Sequence, residues 1–199
     1  MGKGPNEEKQ GNYLLQKLMN VEIHELDTEY NDTIEDYCKE LSEKYIKNGH
    51  KPYLRSENKF AQFSAVLGYI SGAIELNQQI NIFKKPNNKV KVYPVAGTSV
   101  VAMAITNKYC DLKWEINAIS PYLDNGLQEK GIETAEEISK LLNINTLLNV
   151  SDINYSFDYV GEDYGILTRG AKDAIKFLAR KESIFLDPIY TAKSMDGLL

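Results

Sequence analysis

Two short apolar runs, residues 90–95 (VKVYPV) and 114–119 (WEINAI), flank one helix-length segment, and this spacing most limits the folds open to the chain. Runs this short and rich in β-branched residues are of strand length. Between them, Gly97-Thr98 opens a small-residue helix that continues through Ile105. A strand, a helix and a second strand form a right-handed crossover, which makes the two strands parallel and adjacent. The reading is therefore an α/β protein with a mainly parallel twisted sheet and flanking helices.

The rest of the chain follows the same alternation. Tyr13, Leu14, Lys17 and Leu18 suggest a short helix after Gly11-Asn12, and residues 21–26 read as a strand. Ile34, Tyr37, Cys38, Leu41 and Tyr45 recur at helical spacing, with a stop at Asn48-Gly49. Residues 51–55 read as a strand and 60–80 as a long helix, where Gly68 and Gly72 suggest close packing. Residues 85–88 form a turn. Thr134-Ala135-Glu136-Glu137 has the capping-box pattern, followed by Ile138, Leu141 and Leu142 on one face. Thr168 opens a helix carrying Ala171, Ile175, Leu178 and Ala179; residues 184–186 read as a short strand; Pro188 breaks the chain, and a last helix begins near Thr191. The least ordered stretches are expected at residues 1–8, 81–88 and 143–158.

Composition narrows the functional classes. At 199 residues the chain is long enough for one good core or two small domains. The net charge is −5 and the basic residues are scattered, which disfavours a nucleic-acid surface. The 13 tyrosines are spread through helices and strands, as core-edge residues would be. Cys38 and Cys110 form neither a metal-ligand spacing nor a disulfide framework, and Cys38 reads as a small buried hydrophobe. His24 and His50 have no partners at ligand or triad spacing, so no metal is expected. The first ten residues are polar and no apolar run approaches the length of a membrane span, so a cytoplasmic protein with no membrane partner is expected.

The sharpest local feature is Tyr93-Pro94-Val95-Ala96-Gly97-Thr98-Ser99, between a strand and a helix. Such a turn aims backbone N–H groups along the positive end of the helix, which favours an anion such as phosphate. It is neither a G-x-G-x-x-G fingerprint nor a P-loop.

The C-terminal run adds Asp163-Tyr164-Gly165-Ile166, then Leu186-Asp187-Pro188-Ile189-Tyr190-Thr191-Ala192-Lys193-Ser194-Met195-Asp196-Gly197. With Gly11-Asn12-Tyr13-Leu14-Leu15, Lys51-Pro52-Tyr53, Leu67-Gly68-Tyr69 and the turn of residues 94–99, this run resembles, in order, the D-cysteine desulfhydrase and 1-aminocyclopropane-1-carboxylate deaminase family of fold-type-II pyridoxal-phosphate enzymes. The resemblance implies that residues 1–80 are the remainder of a smaller domain and 81–199 a cofactor-binding α/β domain. It implies pyridoxal 5'-phosphate as cofactor, with Ala96, Gly97, Thr98 and Ser99 at its phosphate and Thr191 at its ring nitrogen. Tyr190 and Tyr164 match the family's two active-site tyrosines, Tyr190 with a proton-transfer or nucleophilic role. Thr191 stands where the deaminase type has glutamate and the desulfhydrase type has threonine, which tilts the expected chemistry towards desulfhydrase.

The family's Ser-Gly-Asn-Lys section, whose lysine binds the cofactor, has no counterpart in these residues. Ser56-Glu57-Asn58-Lys59 follows the Lys-Pro-Tyr match and reads as coincidence. The chain is thus expected to be incomplete at both ends and inactive alone. A small amino acid is the expected substrate, and a homodimer or a second chain carrying the lysine segment the expected partner. The alternative is a non-catalytic remnant or binding module with a residual phosphate site.

Overall fold

A computed structural model of the chain describes residues 10–26, 31–54, 59–83, 88–123 and 126–199. It divides into two compact units, Met1–Lys59 and Phe60–Leu199.

In the first unit, α1 (Gly11–Leu18) and α2 (Asn31–Lys47) form where the apolar spacing predicts. Gly49, at φ +81°, ends the second in a left-handed turn that a side chain would resist. Residues 21–26 are extended but form no ladder, and residues 51–54 are likewise not a strand. Side chains account for the polar alternation of residues 21–26. Tyr13 and Tyr45 donate to Glu25 and Glu22 at 2.9 and 2.7 Å, and the Tyr37 hydroxyl lies 2.6 Å from His24 Nδ1. Period-two polarity thus serves as a strap over α1 and α2. Cys38 is half-buried beside Leu41 and Tyr53 along an apolar groove.

The second unit starts with α3 (Lys59–Phe83), which buries Val66 and Ala73, two turns apart on one face. Gly68 and Gly72 do not mark close packing: a Cβ at either would meet nothing within 4 Å. The turn expected at residues 85–88 falls largely outside the described residues, as do residues 1–8 and Ser56 to Asn58. Three strands follow, β1 (Lys91–Val92), β2 (Glu115–Ile119) and β3 (Asn154–Ser156), in the order β1-β2-β3.

The first two strands are parallel neighbours, as the βαβ spacing requires. Lys91 pairs with Glu115 and Val92 with Ile116. A bridge from Val95 to Ile119 continues the same register. Pro94 has no N–H, so the ladder breaks there, but its carbonyl still accepts from Ile119 N at 3.0 Å. β3 pairs parallel to β2 at Asn117–Asn154, Ala118–Tyr155 and Ile119–Ser156.

Helices α4 (Thr98–Tyr109) and α5 (Leu127–Leu141) are the two crossovers. They join one core with Ile116 and Ala118 of β2. Helices α6 (Arg169–Glu182) and α7 (Thr191–Leu198) pack on each other, and Ile119, of opposite parity to Ile116 and Ala118, lies against Gly197 of α7. A Cβ at Gly197 would stand 2.6 Å from Ile119 Cδ1. Gly197→Ala is therefore expected to destabilise this unit by about 1–3 kcal/mol through overpacking, measured by denaturant unfolding.

Three further sequence expectations change. Thr134 does not open a helix: α5 starts seven residues earlier, where Leu127 buries itself, and Thr134 bonds back to Lys130 O at 2.8 Å. Residues 143–158 are not the least ordered part. They hold a 3-10 turn (Val150–Asp152), pinned by Lys108 on Asp152 at 2.6 Å, and the strand β3. The strand lies in an alternating run, Ile153-Asn154-Tyr155-Ser156-Phe157-Asp158, whose period-two signature the surrounding mixed sequence masks, and β2 pairs with it. Residues 184–186 form no strand. Ser183 ends α6 in a left-handed conformation, and Phe185 beyond it is 84% exposed with no ladder to join. Among the described residues no helix is long and apolar enough to cross a membrane, and no cluster of three or more His, Cys, Asp or Glu is placed to hold a metal ion.

Candidate functional site

Parallel strands leave their carboxyl ends on one edge, and ligands of open α/β sheets gather there. The turn Ala96-Gly97 lies beyond β1, Ser120 to Tyr122 beyond β2, and the loop carrying Tyr164 beyond β3. The start of α7 reaches the same edge, where Ser194 Oγ donates to Tyr93 O at 2.5 Å.

In the turn, Gly97 has φ +140° and ψ −147°, a conformation that side chains resist. A Cβ there would meet nothing within 4 Å, so the space above the turn is open. Ala96 donates its N–H to Ile119 O at 2.9 Å and is committed to the sheet. The Ser99 hydroxyl donates to Val95 O at 3.0 Å and ties the turn to its strand. The first-turn N–H groups of Thr98, Ser99 and Val100 have no acceptor within the helix. A cavity of about 170 Å³ adjoins Gly97 and Thr98, with Lys130, Thr134 and Tyr155 also on its wall. Burial, with Tyr122 adding, pushes the Tyr155 phenol up to about 12, so it remains a neutral donor. The turn therefore fits a phosphate through backbone donors, an open approach and a helix N-terminus.

Asp187 organises the start of α7. Its carboxylate accepts from Ile189 N, Tyr190 N and Thr191 N at 2.9, 2.7 and 2.9 Å. The Thr191 hydroxyl donates to Asp187 Oδ2 and accepts from Asp187 N at 2.9 Å. Burial would raise the Asp187 pKa, but the Thr191 hydroxyl and the three N–H groups outweigh it and hold the carboxyl below the usual range. Thr191 is exposed, with its proton directed to Asp187.

Tyr164 and Tyr190, 26 residues apart in sequence, share a short hydrogen bond between their hydroxyls. The Tyr164 ring lies between Tyr190, at 6.3 Å between centroids, and Tyr122, at 6.0 Å. The bond to Tyr164, with burial adding, pushes Tyr190 up to about 12, so the proton between the two oxygens is retained at neutral pH.

The structure thus joins Tyr164 to Tyr190 and keeps Gly97, Thr98 and Ser99 in one turn, linked to α7 through Ser194. Sequence reasoning passed over Asp187 and Tyr122. The signal for Asp187 was present: Asp-Pro favours turn initiation, and an aspartate ahead of a helix start caps it. Tyr122 carried none, because only the fold brings it to Tyr164.

No family model matches the chain. A protein of Pyrococcus furiosus, provisionally named 1-aminocyclopropane-1-carboxylate deaminase, is 26% identical over 196 residues, 97% of this chain and 58% of its own length. The 1-aminocyclopropane-1-carboxylate deaminase of Allorhizobium ampelinum is 25% identical over 190 residues, 95% of this chain and 56% of its own length. The crystal structure of an ACC deaminase homologue superposes with a TM-score of 0.78 at 23% identity, covering 97% of this chain and 57% of that one. The chain therefore spans a little more than half the length of these relatives and shares the fold of that part.

Proposed function

We propose that this chain, similar to the 1-aminocyclopropane-1-carboxylate deaminases over nearly its whole length, is of their family and builds the phosphate cradle and proton-handling groups of a pyridoxal-phosphate enzyme acting on a small amino acid. The observation that carries the reading is the conjunction, on one sheet edge, of the open Gly97 turn with the Tyr164–Tyr190 pair. Pyridoxal phosphate, when bound, supplies an electron sink for a carbanion at the substrate α-carbon.

The chain's own residues do the rest. N–H groups of Thr98, Ser99 and Val100 would hold the phosphate, and Gly97 would let it approach the backbone. Asp187 accepts the hydrogen bond of the Thr191 hydroxyl, so the lone pair of Thr191 Oγ1 not taken by Asp187 N would face a protonated ring nitrogen as an acceptor. The neutral hydroxyl stabilises that cation less than a carboxylate would, which favours elimination from a D-amino acid such as D-cysteine over opening of the cyclopropane ring. Tyr190, keeping its proton at neutral pH, acts as an acid towards the substrate, and Tyr164 resupplies it through their shared bond. Lys130 lines the cavity beside Gly97, and Lys193 of α7 is buried and bonded to a carbonyl; no imine is assigned to either.

The test is spectroscopic and kinetic. Titration with pyridoxal phosphate is expected to saturate and to be competed by inorganic phosphate. Ammonia release from 1-aminocyclopropane-1-carboxylate and sulfide release from D-cysteine are then compared. The chain alone is expected to turn over neither substrate; once a second chain supplies the lysine segment, Tyr190→Phe is expected to lower turnover by roughly 100-fold with cofactor affinity unchanged. Failure to saturate would overturn the reading, and turnover insensitive to Tyr190→Phe would remove Tyr190 from the chemistry.

A further inference from the structure

Lys193 is 0% exposed and is the largest of the fully buried side chains. Lysine is almost never fully buried unless it is paired, since taking the ammonium out of water is costly. Its bonded partner here is a neutral group: Nζ donates to Val160 O at 2.6 Å. A methionine would fill similar volume without desolvating a charge, so the amine must do something that packing alone does not require.

What it holds is the base of the loop between β3 and α6. Val160 is buried, and Gly161 beyond it turns at φ +78°, where a Cβ would stand 2.6 Å from Thr168 Cγ2. Two residues further on, Asp163 Oδ1 accepts the Tyr164 N–H at 2.6 Å. The loop's tip is Tyr164, held by the Tyr190 hydroxyl. Tyr190 and Lys193 are three residues apart at the start of α7, so they share one side of it. That side grips the loop twice, at its base through Lys193 and at its tip through Tyr190. Burial lowers the Lys193 pKa, while the charge of Asp163 in the same loop works against that and draws the ammonium towards it.

We propose that Lys193 is a positioning residue, which clamps the loop of residues 160–165 to α7 and thereby sets the Tyr164–Tyr190 pair. The bond is made to a backbone carbonyl, so it fixes where the loop leaves β3 whatever side chains the loop carries. Its catalytic consequence rests on the function proposed above, but the positioning itself does not.

The experiment uses the full chain without cofactor, with tyrosine rings labelled for NMR. Tyr164→Phe and Tyr190→Phe assign the two ring signals, and Lys193→Met removes the ammonium at similar volume. In the folded Lys193→Met protein both ring signals are expected to move, and the raised tyrosine ionisation to fall towards the ordinary value. The amides of residues 161–165 should exchange about tenfold faster, the scale of one lost hydrogen bond, with those of α4 unchanged. Unmoved ring signals and unchanged loop exchange would overturn the proposal. Should Lys193→Met not fold, the link is read in reverse. Coupling is reciprocal, so Tyr190→Phe is expected to speed exchange of the Lys193 ammonium protons by about tenfold. Equal exchange in the two proteins would overturn it. None of these signals depends on pyridoxal phosphate, so a failure of cofactor binding and a failure of the clamp are read separately.

Discussion

Gly97→Val is expected to weaken pyridoxal-phosphate binding by at least about 100-fold, on the scale of several lost charge-assisted hydrogen bonds. Two effects act together. At φ +140° a β-branched residue is strained, so the turn relaxes and its N–H groups no longer converge. The new side chain also fills the open space through which the phosphate must approach. Affinity is measured by absorbance titration of the two proteins side by side. Folding should survive, because no atom lies within 4 Å of the position a Cβ would take. Equal affinity would place the anion site elsewhere. Thr98→Ala is the contrasting variant: it keeps every backbone donor and should lose much less.

Asp187→Ala is expected to lower the thermal midpoint of the unit containing α7 by about 4–8 °C, from a loss of about 2 kcal/mol of capping. The carboxylate accepts three backbone N–H groups and the Thr191 hydroxyl, and alanine leaves all four donors to water. Calorimetry checks the size. The pH dependence checks the cause. The folded pKa of Asp187 lies below its unfolded value, so its stabilisation is complete above about pH 4 and fades as pH falls through the lowered folded value. Asp187→Asn should flatten that acid limb, because the amide cannot be protonated there while its oxygen still accepts. An unchanged acid limb in Asp187→Asn would show that the carboxylate is not what holds the start of α7. Thr191 should loosen with Asp187→Ala, linking this cap to the site it supports.

Much of the scaffold was legible without coordinates. The two apolar runs around Gly97-Thr98 specified a parallel pair, because a helix-length connection returns the chain to the same edge of the sheet. The helices α1, α2, α3 and α6 followed from apolar patterning, with Gly49 and Thr168 as end signals, and α4 and α7 from the small-residue run after Gly97-Thr98 and the break at Pro188. The glycine turn was legible because only a few residue types occupy that backbone region.

Other features depended on partners distant in sequence. Residues 21–26 alternate like a strand, yet tyrosines of α1 and α2 take up their polar side chains and no ladder forms. Residues 153–158 alternate as well, and there the parallel partner β2 is at hand, so the same signature becomes a strand. Thr134 carries a capping pattern that the burial of Leu127 overrides, since a helix extends to reach its apolar contact. In the site, local chemistry marked out Gly97, and the family resemblance marked out Tyr164, Tyr190 and Thr191. Only the tertiary structure brought the two phenols within a shared proton, placed Tyr122 against them, and buried Lys193 on the carbonyl of Val160. Sequence determines backbone preference and the faces of its elements over a few residues. The protonation of a phenol and the solvation of an amine depend on neighbours 26 and 33 residues away, and those are set by how the elements pack.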